Sequence, residues 1–152
     1  MTTTWTDFAV ANTELAATVR RCFGVRKHAT MATLRRDGAP RISGTELVWD
    51  DAGLRVGMMP GTRRAADLRR DPRVAVHSPT HDTDEDNPGS WLGEAKVSGR
   101  ARDVTDSSSA DPVDWFVIDP EEVVHTCVDP AGQHLVVTTW HPVRGVQQHR
   151  RG

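Results

Sequence analysis

The sequence predicts a mainly β fold: an antiparallel barrel, closed or nearly closed, of roughly six strands, with an N-terminal helix and one inserted helix. Three features point there. Short runs rich in β-branched residues recur from His28 to His141, bounded by Asp-Gly, Asp-Ala-Gly, Pro-Gly and Asp-Pro pairs. The connections between the earlier runs are of hairpin length. Only two stretches carry a helical period, and a meander of this size removes its edges by closing on itself. At 152 residues the chain holds one hydrophobic core and one domain, residues 1–152, with 1–24 as a helical segment and 143–152 as a polar, flexible tail.

Along residues 6–23, Phe8, Val10, Leu15, Ala16, Val19, Cys22 and Phe23 fall mostly at helical spacings. They make one helix, or two short ones broken near Asn12-Thr13, with Gly24 as the capping glycine. HATMATLRR and PRISGTELVW flank Asp37-Gly38 and form a hairpin, and a second turn at Asp51-Ala52-Gly53 leads into LRVGMM, so an antiparallel meander is expected. After Pro60-Gly61, TRRAADLRR is a short helix that ends at Asp71-Pro72, and RVAVHS resumes as a strand. PTHDTDEDNPGS is an acidic loop. WLGEAKVSGRARDV is a long strand in which Gly93 and Gly99 mark bulges or close approaches. WFVIDPEEVVHTCV is a strand broken or bulged at Pro120, and HLVVTTWH is the last strand.

Charge and cysteine content limit the function classes. With 19 Lys+Arg against 21 Asp+Glu the net charge is -2, so nothing draws the whole molecule to nucleic acid or an anionic membrane. Any anion site must be local. Lys27 and Lys96 are the only lysines, and the remaining cations are arginines, suited to a bidentate grip on phosphate or carboxylate. Cys22 and Cys127 allow one disulfide at most and have no metal-like spacing, and no secretory or membrane-spanning segment is visible. A reduced, cytoplasmic setting is the expectation.

The stretch MMPGTRRAADLRRDPRVAVHS carries arginine pairs at both ends of its helix. Arg69 and Arg70 lie in the last turn, where cations favour the helix dipole; Arg63 and Arg64 lie in the first turn, where a cation costs about 0.3–1 kcal/mol. That placement makes sense if an anion sits there, held by free N–H groups, the Thr62 hydroxyl and two guanidinium groups. The plainer explanation is that both side chains extend into water, with Arg63 meeting Asp67 one turn on. No P-loop and no G-x-G-x-x-G after a strand occurs, which removes the triphosphatase and Rossmann classes.

Residues 29–78, ATMATLRRDGAPRISGTELVWDDAGLRVGMMPGTRRAADLRRDPRVAVHS, together with the later GEAKVSGRA strand, resemble the FMN-binding split-barrel superfamily of pyridoxamine 5'-phosphate oxidase-like proteins, including its deazaflavin-dependent branch. The shared pattern is an A-T-[LMV] strand, a D-G turn, a P-R-[IV]-S strand, and a strand leading into G-[ST]-R-[KR]-A-x-x-L-x-x-D-P-R-V. The resemblance implies a six-stranded split barrel that forms a homodimer with a cofactor, FMN or the deazaflavin coenzyme F420, in each groove between protomers. It implies that Thr62, Arg63 and Arg64 take the cofactor phosphate. The ring would lie along Arg41, Ser43, Gly44 and Thr45 of one strand and Gly57, Met58 and Met59 of the next. Met58 and Met59 replace small polar residues usual in the family, and Arg64 replaces the commoner lysine. The extended tail of the true pyridoxamine phosphate oxidases is missing after Val146, so their substrate is not expected.

Other constellations are weaker. Asp82, Asp84 and Asp86 alternate as in a calcium loop, but Asn87 and Gly93 stand where its glycine and distal glutamate belong. Pro79 between His77 and His81 rules out a helical ligand pair. Glu46, on the strand face of Ile42, Gly44 and Val48, needs a partner, an arginine from a neighbouring strand or the dimer groove. Trp5, Trp49, Trp91, Trp115 and Trp140 are core or interface anchors, one of which could cover the cofactor ring. The expected function is flavin- or deazaflavin-dependent hydride or electron transfer to a small organic substrate, with a cofactor-binding or sequestering protein as the alternative. No catalytic side chain is assigned, and no metal is expected.

Overall fold

The structure, a computed structural model, describes residues 2–152. The chain opens with α1 (Trp5–Ala11) and α2 (Thr13–Gly24). Thr4 and Asp7 form a reciprocal capping box at the start of α1, each side chain accepting from the other's backbone N–H. Asn12 leaves the helical region at φ -136°, ψ 58°, and both its N–H and its side-chain amide donate to the Phe8 carbonyl, so two short helices form rather than one. Gly24 is the last helical residue and Val25, still right-handed, caps it, so the expected glycine cap is not formed.

Nine strands follow: β1 (Ala29–Leu34), β2 (Pro40–Thr45), β3 (Leu47–Asp50), β4 (Gly53–Met58), β5 (Arg73–His77), β6 (Glu94–Asp103), β7 (Asp114–Val128), β8 (Leu135–His141) and β9 (Gly145–Arg151). Helix α3 (Arg63–Arg70) joins β4 to β5. The order is β2-β1-β5-β6-β7-β4-β3, with β8 on β7 and β9 on β8, and every pair is antiparallel. The fold is a mainly β split barrel.

The expected meander is corrected at PRISGTELVW. This stretch is two strands: β2 pairs with β1 as far as Ala29↔Thr45, where β1 begins, and past Glu46 the chain has no β1 left to follow. It turns away as β3 and pairs with β4 at the opposite end of the sheet. The two ends of the sheet are thus joined by the continuous backbone at Glu46 and not by a ladder, which is the split. Glu46 is held there by Lys27 (3.4 Å) and His28 (3.2 Å), not by an arginine.

β7 continues through Pro120 and bulges beside it as expected: Gly99 pairs with Pro120 and Ser98 with Glu122, which leaves Glu121 as the extra residue. A Cβ on Gly99 would run into the Asp119 carbonyl oxygen, so the close approach there needs glycine. The tail read as flexible is instead strand β9, paired with β8 from Gly145 to Arg151.

The inner face of the sheet and the two N-terminal helices share one core. Phe8, Val19, Cys22, Met31, Leu54, Val97, Phe116 and Ile118 are all essentially inaccessible. Trp5 packs edge-on to Trp49 and Phe8 tilts against Trp140, with ring centroids 4.6 and 4.7 Å apart. Cys22 and Cys127 are both free thiols, and burial pushes the Cys22 thiol up to about 11, which keeps it protonated and inert. No helix among the described residues is long and apolar enough to cross a membrane.

Candidate cofactor-binding site

Helix α3 ties the free edge of β2 to the start of β7. On one side Arg64 donates from Nη1 to the carbonyl of Gly44, on the free edge of β2, at 2.6 Å. On the other side the Gly61 N–H and the Arg69 guanidinium both donate to the Asp114 carboxylate at the start of β7. Ala65 and Leu68 are buried beneath the helix, and Thr62 caps it, its hydroxyl accepting from the Ala65 N–H at 3.3 Å.

Asp67 is the pivot. It is 2% exposed, one turn after Arg63 in sequence, yet it turns inward and accepts from Arg41 Nε at 2.7 Å, from Thr33 Oγ1 at 2.8 Å and from Arg70 Nη2 at 2.8 Å. Burial pushes its carboxyl up, but the three hydrogen bonds outweigh that and hold it at about 2. Arg70 also donates to the Leu34 carbonyl at 2.7 Å. Since Asp67 is committed inward, the i,i+4 pair with Arg63 does not form.

Arg63 is exposed, and among the described residues no acceptor or carboxylate engages it. It is a free guanidinium on the first turn, where the helix dipole opposes a cation. Arg69, by contrast, is no mere end-of-helix cation. It spans Asp103 (2.7 Å), Thr105 (3.3 Å) and Asp114 (2.9 Å), and lies 5.4 Å from the Phe116 ring centroid. The Arg69 hydrogen bond holds Asp103 at about 2 and holds Asp114 below its ordinary value.

The remaining sequence candidates divide by strand face. Arg41, Ser43 and Thr45 stand in register with Thr33, Met31 and Ala29, whose side chains are buried on the inner face. Arg41 is engaged by Asp67, while the Thr45 hydroxyl is buried with no hydrogen-bond partner among the described residues. Gly44 faces outward, and a Cβ built there meets nothing within 4 Å. Met58 is 4% exposed and points into the core, whereas Met59 is 76% exposed beside the turn. Gly57 is covered by the Trp115 ring, which a Cβ would meet at 2.8 Å, and Arg55 lies 4.6 Å from the centroid of that ring.

The structure therefore brings Gly44, Thr62, Arg63 and Arg64 together at the first turn of α3 and keeps Ser43, Gly57 and Met58 out of that group. The donor set fits a phosphate: a free guanidinium, a second one within reach, a capped helix start and an open glycine beside them. The sequence does not mark Asp114, and it offers Asp67 only as a partner for Arg63 and Trp115 only as one of five tryptophan anchors. Asp67 carried a signal, lying between Ala65 and Leu68 on the buried side of the helix. Asp114 follows DSSSADP with nothing local to mark it.

The family profile for pyridoxamine 5'-phosphate oxidase matches residues 15–127. Among curated proteins, none matches the chain. Among solved structures, a pyridoxamine 5'-phosphate oxidase-related, FMN binding protein from Nostoc punctiforme aligns at TM-score 0.65 and 10% identity, over 93% of this chain and 96% of that one. PhzG from Burkholderia lata, in complex with tetrahydrophenazine-1-carboxylic acid, aligns at TM-score 0.61 and 11% identity over 95% and 91%. A heme binding protein from Mycobacterium smegmatis aligns at TM-score 0.54 and 13% identity over 91% and 88%. These likenesses share the fold. With the profile covering most of the chain and an antiparallel sheet whose two ends, β2 and β3, are not paired with each other, the protein belongs to the pyridoxamine 5'-phosphate oxidase-like split-barrel family.

Proposed function

We propose that the protein is an oxidoreductase that binds a flavin or a deazaflavin, FMN or coenzyme F420, and passes hydride or electrons between it and a small organic substrate. The observation that carries this reading is Arg63, a guanidinium without a partner among the described residues, placed where the helix dipole disfavours it and beside Arg64 and the Thr62 cap. When bound, the cofactor supplies the hydride or electron transfer, and the chain's share is binding, orientation and exclusion of water.

Arg63 and the α3 N-terminus take the phosphate, and Arg64 ties that turn to the β2 edge at Gly44. Gly44 and Met59, the open members of the ring-lining set, face the ring. The partner is a second copy. Ile42 is 74% exposed and, with Thr30, Ala32, Ala75, His77 and Lys96, lines a shallow groove of about 350 Å³ on the outer sheet face. The helices of this chain pack into the shared core on the inner face and leave that groove uncovered.

The test begins with titration by FMN and separately by the deazaflavin, followed spectroscopically. Binding of either tighter than about 1 mM is expected, and binding of neither would overturn the proposal. Turnover separates the enzyme from a carrier or sequestering protein: reoxidation of the reduced complex must be accelerated by an organic acceptor. Replacing Arg63 and Arg64 together with alanine should weaken binding by several kcal/mol, roughly 1.5–3 for each charge-assisted contact, with the fold retained.

A further inference from the structure

A second concave site lies away from α3, where the end of α2 meets the start of β1 and β3. It is a cleft of about 660 Å³ with Phe23 and Trp49 in its wall and Arg20, Arg26 and Lys27 around it. It shares no residue with the α3 turn. The two rings pack against one another at 5.3 Å between centroids, and the Arg20 guanidinium stands 5.9 Å from the Trp49 centroid.

Helix electrostatics accounts for part of this charge, because cations near the last turn of α2 complement its free carbonyls. It does not account for the hollow or for its aromatic wall. No acidic residue lines the cleft. Glu46 pairs with Lys27 and His28, Asp50 and Asp51 line a neighbouring hollow with Arg20 without pairing with it, and Arg26 is tied only by a 3.4 Å bond from Nε to the Thr80 carbonyl. Arg20 has no carboxylate partner among the described residues, so its ion-pairing capacity is unused.

We propose that this cleft is a binding site for a flat organic anion, an aromatic carboxylate or a comparably small aromatic acid. The ring packs against Trp49 and Phe23, and the carboxylate is taken by Arg20 with Arg26 at the rim. Arginine suits this role because its planar fork both stacks on an aromatic face and grips a carboxylate through two hydrogen bonds. A neutral ring of the same shape gains only the stacking. The site goes beyond the cofactor reading and does not depend on it.

The probe is 2-naphthoate, titrated calorimetrically into the full chain alongside 2-naphthalenemethanol as its neutral analogue. Naphthoate is expected to bind at least about tenfold more tightly than the alcohol, the difference a charge-assisted pair supplies. Arg20→Ala and Arg20→Ala with Arg26→Ala should abolish that preference while leaving thermal unfolding and FMN titration unchanged. Equal binding of acid and alcohol, naphthoate binding unaffected in the double variant, or no naphthoate binding below about 1 mM would each overturn the proposal. Loss of FMN binding with naphthoate binding intact would instead count against the α3 site alone.

Discussion

Arg63 and Arg69 stand on the same short helix and differ in everything but residue type. Arg63 has no partner among the described residues, and the proposed function assigns it to the cofactor phosphate. Arg69 is spent on the protein: removing it would leave Asp114, 6% exposed, without its main cation and strip Asp103 as well. Arg69→Ala is therefore expected to cost about 2–3 kcal/mol, measured by urea unfolding, where an ordinary surface arginine would cost about 0.5. Helix position alone suggests the smaller figure, because the sequence shows which turn a residue occupies but not which distant strand supplies its acid. The acids make a second prediction. Asp67 and Asp103 are held at about 2, below the ordinary 3.8, so the folded state binds fewer protons than the unfolded state between those values. Their stabilisation is complete above the ordinary value and lost as the pH falls through about 2. The urea midpoint should drop across that window, and Asp67→Asn should flatten part of the drop.

The elements were legible in proportion to how local their signals are. Helix α3 begins and ends where Thr62 and Asp71-Pro72 require, β5 follows it, and the break at Asn12 lies where one of the two expected helical layouts put it. The split came with the family resemblance and not from the residue pattern, because PRISGTELVW reads as one strand and the reason it divides, the end of β1 at Ala29, is a matter of register. The tail misled for a related reason. VQQHRR has the polarity of a frayed terminus, yet as an edge strand on β8 it has one ladder to satisfy and solvent on its other side. Pro120 marks the bulge and Gly99 the close approach opposite it, and the cost of filling that approach is testable. Gly99→Val drives a side chain into the Asp119 backbone and should destabilise by about 1–3 kcal/mol in a thermal melt, whereas a similar loss from Gly44→Ala, at an open position, would contradict the contact geometry.

At the scale of the whole molecule, one sheet serves two surfaces. Its inner face is filled by α1 and α2, while its outer face presents Ile42, Ala32 and Ala75, a small-residue apolar strip in which His77 and Lys96 are the ionisable members of the groove. A second copy on that face is the proposed partner, and if it docks there, Ile42→Arg is expected to give a monomer where the wild type sediments as a dimer. Helix α3 ties the β2 edge to the start of β7 by Arg64 and Arg69 and leaves Arg63 without a partner among the described residues. The most direct measurement is a comparison of FMN with riboflavin, which lacks the phosphate, by titration calorimetry on the wild-type chain and on Arg63→Ala, repeated with the deazaflavin if FMN does not bind. The phosphate-bearing cofactor is expected to bind the wild type, riboflavin to bind far more weakly, and Arg63→Ala to lose roughly 10- to 100-fold in affinity for the former with riboflavin binding unchanged. Equal affinity of wild type and Arg63→Ala for the phosphate-bearing cofactor would rule out Arg63 as its phosphate ligand.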